Sequence, residues 1–131
     1  KINVSGNELT ELDVSNNPVL TDLDVDHNNL SQLDVSHNPE LNSLGVPANQ
    51  LTELDVSNNP VLTELWVFEN QLTELDLSNN PELTHTGVSG DQLTKLRLSN
   101  EIDLENKANR FNIEIPSDLK FDKVKGYYTS E

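Results

Sequence analysis

Three aspartates at alternate positions form the sequence's nearest approach to a metal site. They are Asp22, Asp24 and Asp26 in the stretch DLDVDHNN. An EF-hand calcium loop requires glycine at its sixth position and glutamate at its twelfth, and here those positions hold His27 and Leu33. Carboxylates at alternate positions of one strand are ~6.6 Å apart successively, so they need further ligands to enclose one ion. We therefore expect an acidic patch and no metal.

Residue types that support catalysis are scarce. The sequence has no cysteine and three histidines, His27, His37 and His85, which follow no metal-ligand spacing and are not paired with serines in a repeated geometry. Glu64 and Asp22 could be imagined as glycosidase carboxylates, but the surface of a sheet provides neither a cleft nor a dry pocket that would shift their pKa. We expect no enzyme activity and no cofactor.

A second kind of chemistry, aromatic recognition, is indicated by VLTELWVFENQL, residues 61–72. Trp66 and Phe68 occupy positions at which similar segments of the chain carry small or charged residues. Exposed aromatic side chains bury ~150–250 Å² each when a partner covers them, and they dominate binding hot spots. The alternative is that the two rings only shield the sheet or cover flanking glycines. The predicted protein-binding residues are Trp66, Phe68, Glu64, Glu69, Asp22, Asp24, Asp26 and His85.

The charge of the chain restricts the choice of partner. Twenty-three acidic residues against 8 basic ones give a formal net charge of -15. Such a field repels phosphate backbones and anionic membrane surfaces, and the apolar stretches are too short to span a bilayer. We expect no nucleic acid, no membrane insertion, and a monomer whose protein partner has a basic surface.

A regular repeat positions these residues. A long segment of eleven residues that contains N-P alternates with a short segment of ten, and one of each makes the repeating unit. A fixed period of this kind predicts a solenoid, in which stacked neighbours supply the core that no single unit can form. The anchor leucines are Leu9, Leu20, Leu30, Leu41, Leu51, Leu62, Leu72, Leu83 and Leu93.

Each segment predicts a short strand followed by a bend. In the patterns L-x-L and L-x-V alternate residues point to opposite sides, so Leu65 and Val67 face inward and Trp66 faces outward. An asparagine follows each strand, where its amide can satisfy backbone groups at a tight corner. Proline follows the asparagine in the long segments, where it belongs in a bend and not in a ladder.

The repeats also resemble a known family. L-x-x-L-x-L-x-x-N-x-L is the leucine-rich repeat signature, and the nested LDVSNNP and LTELxVxxNQL phrases are similar to the 21-residue subclass of internalin-type, internalin J-like bacterial surface proteins. The resemblance implies a curved parallel β-sheet, export to the cell surface or cell wall, and protein recognition on the concave face. This sequence differs from such a protein in one respect. The positions that carry a cysteine ladder there hold valines here, namely Val25, Val46, Val67 and Val88.

The two ends differ from the repeats. The chain begins with I-x-V-x-x-N-x-L, the second half of a short segment, so we expect upstream coils or a cap in the full protein. At the other end the pattern decays, with Thr86 at an inward position and Asp91 and Glu101 at bend positions. We predict a mainly β solenoid with little or no helix at residues 1–100 and a C-terminal cap at residues 101–131. In the cap RFNIEI is expected to form a strand, and the aromatic residues Phe111, Phe121, Tyr127 and Tyr128 to cover the last coil.

The two kinds of segment present different surfaces. The outward positions of the long segments are nearly identical, with aspartate in the middle at Asp13, Asp34, Asp55 and Asp76. We interpret them as a solvating stripe, with a cation-binding rail as the alternative. The outward positions of the short segments differ from coil to coil, as a recognition site requires. The function predicted is therefore protein recognition, which the family resemblance implies to take place at a cell surface, and the alternative is a structural spacer without a specific ligand.

Overall fold

The computed structural model describes residues 1–90, 92–99 and 112–130. These residues form a β-solenoid of about 5 turns in which no helix is present. The described strands are β1 (Ile2–Asn3), β2 (Asp22–Asp24), β3 (Ser43–Gly45), β4 (Glu64–Trp66), β5 (Glu74–Leu77), β6 (His85–Gly87), β7 (Lys95–Leu98), β8 (Asn112–Ile113), β9 (Lys120–Asp122) and β10 (Tyr127–Thr129).

The short segments build the first sheet. Its order is β1-β2-β3-β4-β6-β8, and every neighbouring pair is parallel. Leu23 lies opposite Leu44, and Leu44 lies opposite Leu65, so positions one repeating unit apart are neighbours in the sheet. The predicted coil length is confirmed by these ~21-residue turns.

The core is a stack of inward leucines and valines. Eight of the nine anchor leucines are no more than 4% exposed, and Leu9 is partly buried against the same cluster. The inward apolar residues of the strands and long segments join this cluster, with Leu12 partly buried. Leu65 and Val67 are fully buried, as the alternation predicts. Thr86, at the inward position where the pattern decays, is buried and its hydroxyl accepts a hydrogen bond from the Glu114 amide at 3.2 Å.

The long segments differ from the prediction of one strand each. Residues 11–14, 32–35 and 53–56 are not strands, whereas β5 and β7 are. The aspartate of each of these three segments forms a local turn. Asp34 Oδ1 accepts hydrogen bonds from the amide and hydroxyl of Ser36 at 2.8 and 2.6 Å. The same turn follows β5, where Asp76 Oδ1 accepts a hydrogen bond from the Ser78 amide at 2.9 Å, so the turn occurs both with and without a strand.

Asparagines close the corners after the short segments. Asn70 Nδ2 donates to the carbonyls of Val46 and Val67 at 2.9 and 3.1 Å, and its Oδ1 accepts from the Leu51 amide at 3.0 Å. One side chain thereby joins its own coil to the preceding one. Asn28 and Asn49 repeat the pattern, so the predicted role of these asparagines is confirmed.

A different asparagine ladder lines the long-segment corners. Asn59 Nδ2 donates to the carbonyls of Val35 and Asn38 in the preceding coil at 3.0 and 2.9 Å. Asn38 and Asn80 do the same in their own coils. These three asparagines are fully buried, so coils whose long segments lack strand pairing are held together there by side-chain amides.

One position of every short segment has left-handed backbone. The residues are Gly6 (φ 68), His27 (φ 54), Ala48 (φ 54), Glu69 (φ 59) and Gly90 (φ 81). They recur once per coil, immediately before the bend position. Residues with a Cβ rarely adopt this conformation and are strained in it by ~1 kcal/mol or more. The stacked coils therefore impose the turn on whichever residue occupies the position.

The described part of the predicted cap, residues 112–130, extends both sheets. β8 pairs in parallel with β6, and the β9-β10 hairpin joins the second sheet, whose order is β5-β7-β10-β9. Tyr128 is buried and packs edge-on against Phe121, with 5.2 Å between ring centroids. Phe111, Asp91, Glu101 and the predicted boundary at residue 100 lie outside the described residues.

Candidate protein-binding face

The outward side of the first sheet brings the predicted site residues into rows across the coils. One row contains Asp22, Ser43, Glu64 and His85, and the next contains Asp24, Gly45, Trp66 and Gly87. A third row, of residues 26, 47, 68 and 89, lies just beyond the ends of the strands. The coils remain in register there, because the amides of His27 and Ala48 donate to the carbonyls of Pro47 and Phe68 in the following coils. We call this surface the variable face, comprising residues 22, 24, 26, 43, 45, 47, 64, 66, 68, 85, 87 and 89.

Trp66 and Phe68 lie in the middle of the variable face and are half-buried. Part of their burial comes from the glycine of the next strand. A Cβ built on Gly87 would lie 2.8 Å from Trp66 Cε3 and 3.2 Å from Phe68 Cδ1. Both rings therefore cover Gly87 and are not open on this side. The Trp66 ring also approaches His85, with 6.5 Å between centroids.

On the opposite side of the two rings the face is open. A cavity of about 400 Å³ extends from the first coil to Trp66 and Phe68. Its floor includes Gly45 and Pro47, which are themselves buried, and Asp22 and Asp24 line the side opposite the rings. The structure thus brings aromatic and acidic site residues to one cavity.

The aspartates on this face are not equivalent. Asp26 Oδ2 lies 2.7 Å from His27 Nδ1 and has a ready cationic partner when that histidine is protonated. Partial burial raises the pKa of Asp24, and its contact with the Asp26 carboxyl raises it further. Desolvation and a neighbouring like charge both disfavour ionised Asp24, so a bound cation would stabilise it.

The remaining predicted site residues occupy the edges of the face. Glu64 and His85 are half-buried and lie opposite each other on β4 and β6. Glu69 is exposed at the left-handed turn beyond β4, and its amide donates to the Ser89 carbonyl at 2.9 Å. Glu69 is therefore on the rim of the face and not beside the rings.

The uniform side of the solenoid carries a larger cavity, of about 1160 Å³, along the long segments. Its aspartates have a structural role that the sequence reasoning missed. Hydrogen bonds from Ser15, Ser36 and Ser57 lower the pKa of the aspartate two residues earlier in each turn. The signal was present in the sequence as the repeated D-x-S, which is typical of Asx turns.

The end of the uniform side is different. Lys95 and Arg97 on β7 lie opposite Glu74 and Asp76 on β5. The Arg97 guanidinium carbon is 5.1 Å from the centroid of the Tyr127 ring, and Lys95 Nζ is 6.0 Å from it. These bases end the acidic columns and fix the aromatic hairpin by cation-π contacts.

Within residues 1–90, 92–99 and 112–130, no group of three or more His, Cys, Asp or Glu residues is arranged to hold a metal ion. In the same part of the chain no helix is long and apolar enough to cross a membrane.

Comparisons with known proteins agree with the repeat architecture. A family model described as Leucine Rich repeat matches residues 70–90. Among solved structures, the chain is similar to the functional domain of InlJ from Listeria monocytogenes, with 36% sequence identity and a TM-score of 0.62. The match covers 69% of this chain and 22% of that chain. No curated protein matches the sequence.

The InlJ domain is described as including a cysteine ladder, whereas this sequence has no cysteine. The valines at the slots that the resemblance assigns to such a ladder are at most 2% exposed. Valine can therefore fill those inward positions by packing alone. The leucine-rich and internalin-like fold is typically a non-enzymatic interaction domain. The repeat match, the register of the stacked coils and the similarity to InlJ together show that the chain is a leucine-rich repeat solenoid similar in fold to the InlJ domain.

Proposed function

We propose that this chain is a cell-surface protein-recognition module that binds its partner through the variable face. The observation that carries the proposal is the contrast between the two sides of one solenoid. The long segments repeat nearly the same outward residues, whereas the short segments hold the same backbone register and change their outward residues at every coil. A constant frame with changing side chains is suited to recognising one particular surface.

The aromatic pair supplies the energetic centre of this surface. Trp66 and Phe68 are half-buried and border an open cavity, so a partner can cover area that remains exposed in the free protein. Aromatic side chains in such positions are frequent hot spots, and their truncation commonly costs over ~2 kcal/mol of binding free energy.

The charge favours a partner with a basic surface. A formal net charge of -15 gives the chain a strong negative field, which accelerates encounter with a cationic surface and makes the association sensitive to salt. Adhesion to a host or neighbouring cell is the role that we propose for a module of this type.

A structural spacer is the second candidate, and one observation favours it. Trp66 and Phe68 pack over Gly87, and this contact protects the backbone of β6 whether or not a partner binds. In a spacer, the rings would serve only to shield the sheet.

Affinity capture from surface-protein extracts distinguishes the two candidates. The immobilised wild-type chain is compared with a Trp66→Ala/Phe68→Ala variant and with a control, Glu11→Ala/Glu53→Ala, in which exposed side chains of the uniform side are removed. Thermal melts establish that all three proteins are folded.

A binding module retains specific proteins on the wild type and the control and loses them on the aromatic variant. Equal recovery on all three supports the spacer. Because the aromatic variant also loses packing on Gly87, Asp22→Lys provides a second test on the same face without touching the rings. It is expected to lose the same proteins.

A further inference from the structure

The cavity of the variable face has two chemically different walls. Asp24, Gly45 and Trp66 lie in register on three neighbouring strands, so Asp24 and Trp66 are separated by two strand spacings, roughly 9.6 Å. Gly45 lies between them without a side chain. The result is a slot with a carboxylate wall, a glycine floor and an aromatic wall.

The slot requires a residue without a side chain at position 45. A Cβ on Gly45 would lie 3.3 Å from Asp24 Oδ1 and 4.0 Å from Pro47 Cδ. Even a methyl group would therefore touch the carboxylate wall and occupy the opening. The glycine on the other side of the rings, Gly87, is already covered by Trp66 and Phe68, so only the Gly45 side offers room for a ligand.

Among residues 1–90, 92–99 and 112–130, no basic side chain forms an ion pair with Asp22 or Asp24. Asp22 and Asp24 are alternate residues of β2 and both line the cavity. Asp24 is half-buried, with its carboxyl near that of Asp26, while the histidine of this coil contacts Asp26. Lys1 precedes β1 at the outer end of the lining, on the far side of β2 from the two rings.

We propose that this slot accepts an arginine side chain of the protein partner, an inference that rests on the proposed recognition function. An arginine combines an apolar stem, which packs on Trp66 and Phe68, with a planar guanidinium that forms paired hydrogen bonds with carboxylates. Its several donors can reach both Asp22 and Asp24. Lysine has a comparable stem but a compact, strongly hydrated ammonium, and it cannot match the planar geometry.

Fluorescence of Trp66 gives a direct test, because it is the single tryptophan of the sequence. The probe is N-acetyl-arginine amide, titrated into the full chain, with the matching citrulline and lysine derivatives as controls of similar shape or equal charge. The arginine probe is expected to give a saturable change. The citrulline and lysine probes are expected to bind at least about tenfold more weakly, as for the loss of a hydrogen bond to a charged group.

Two variants locate the effect. Asp24→Asn removes the charge from the slot, and Asp55→Asn removes one charge from the uniform side while leaving an oxygen that can accept the Ser57 hydrogen bond. Asp24→Asn is expected to weaken the arginine probe about tenfold or more, and Asp55→Asn to leave it nearly unchanged. Equal weakening by both variants would show attraction to the overall field only and would overturn the proposal. Equal binding of arginine and citrulline, or of arginine and lysine, would also overturn it.

Gly45→Ala separates this inference from the proposed function. If the slot holds the arginine, Gly45→Ala weakens both the probe and the captured partner, while the thermal melt shows that the protein is folded. If the partner is lost from the Trp66→Ala/Phe68→Ala variant but is retained in full by Gly45→Ala and Asp24→Asn, the recognition face stands and the arginine slot is wrong. A further outcome is that the probe binds as predicted for the slot while all variants recover the same captured proteins in equal amounts. In that case the slot binds arginine but the proposed partner recognition is wrong.

Discussion

The two asparagine ladders provide a quantitative test of how the coils are held together. Replacing Asn70 by alanine removes four hydrogen bonds, to the Leu51 amide and to the carbonyls of Val46, Val67 and Phe68. The Phe68 carbonyl keeps a backbone donor, the Ala48 amide at 3.1 Å. The Val46 carbonyl keeps a second donor, Asn49 Nδ2 at 3.1 Å. Among the described residues, the Asn70 side chain is the hydrogen-bond partner of the Leu51 amide and of the Val67 carbonyl. The substitution therefore leaves two buried backbone groups unsatisfied.

Asn59→Ala is the matched change in the other ladder. It removes two hydrogen bonds, to the carbonyls of Val35 and Asn38. Both carbonyls keep a backbone donor, because Val35 also accepts from the Asn38 amide and Asn38 accepts from the Leu41 amide. The same side chain is deleted, and both asparagines are buried, but no backbone group is left without a partner.

The expected costs follow from these counts. A buried group left unsatisfied costs about 1–3 kcal/mol, and a lost hydrogen bond whose acceptor keeps another donor costs about 0.5–1.5 kcal/mol. We therefore expect Asn70→Ala to lower the free energy of unfolding by about 3–9 kcal/mol and Asn59→Ala to lower it by about 1–3 kcal/mol. Urea denaturation followed by circular dichroism measures both values.

The comparison is decisive because the two variants lose the same atoms. If Asn59→Ala destabilises the protein as much as Asn70→Ala or more, the hydrogen-bond pattern assigned to the two corners is wrong. If the denaturant slope also changes, the unfolding is no longer comparable between variants, and hydrogen exchange of the Leu51 amide then reports directly whether its protection depends on Asn70.

Four further outcomes are expected. Leu65→Ala, at a fully buried position, should cost about 2–5 kcal/mol in urea denaturation, and a smaller loss would contradict its place in the core. Gly90→Ala should cost more than about 1 kcal/mol by the same measurement, since its φ is 81 and a Cβ would lie 3.1 Å from a backbone nitrogen. Trp66→Ala should lower the melting temperature only slightly, because the ring is half-buried; a loss as large as that of Leu65→Ala would make its role structural. Hydrogen bonds from Ser36 lower the pKa of Asp34, so the stability that ionised Asp34 contributes is present above its unfolded pKa, near 3.8, and is lost as pH falls through the lower folded value. Thermal melts should therefore show the advantage of wild type over Asp34→Asn shrinking with acidification, and a constant difference would contradict the assignment.

The repeat architecture was predictable from the sequence because its cause is local and repeated. Leucine spacing fixes which side chains can be buried together, and a constant period admits stacking of equivalent positions. The inward positions of Leu65 and Val67, the bends at the asparagines and the two different outward surfaces all follow from this pattern. The predicted strand in every long segment was wrong for the first three coils, where buried asparagine amides join neighbouring coils without strand pairing.

The site residues were chosen from the sequence by their departure from the repeat, and whether they bind a partner stays a prediction. Their arrangement depended on neighbours one and two coils away. Only the stacked structure places the rings of Trp66 and Phe68 over Gly87 and leaves the Gly45 side open toward Asp24. The left-handed backbone position was also not predictable from the sequence, because Ala48 and Glu69 have no local preference for positive φ. They adopt it because the adjoining coils impose the turn. Periodicity determines which face a side chain is on, but contacts between coils determine which way it leans and what space it leaves.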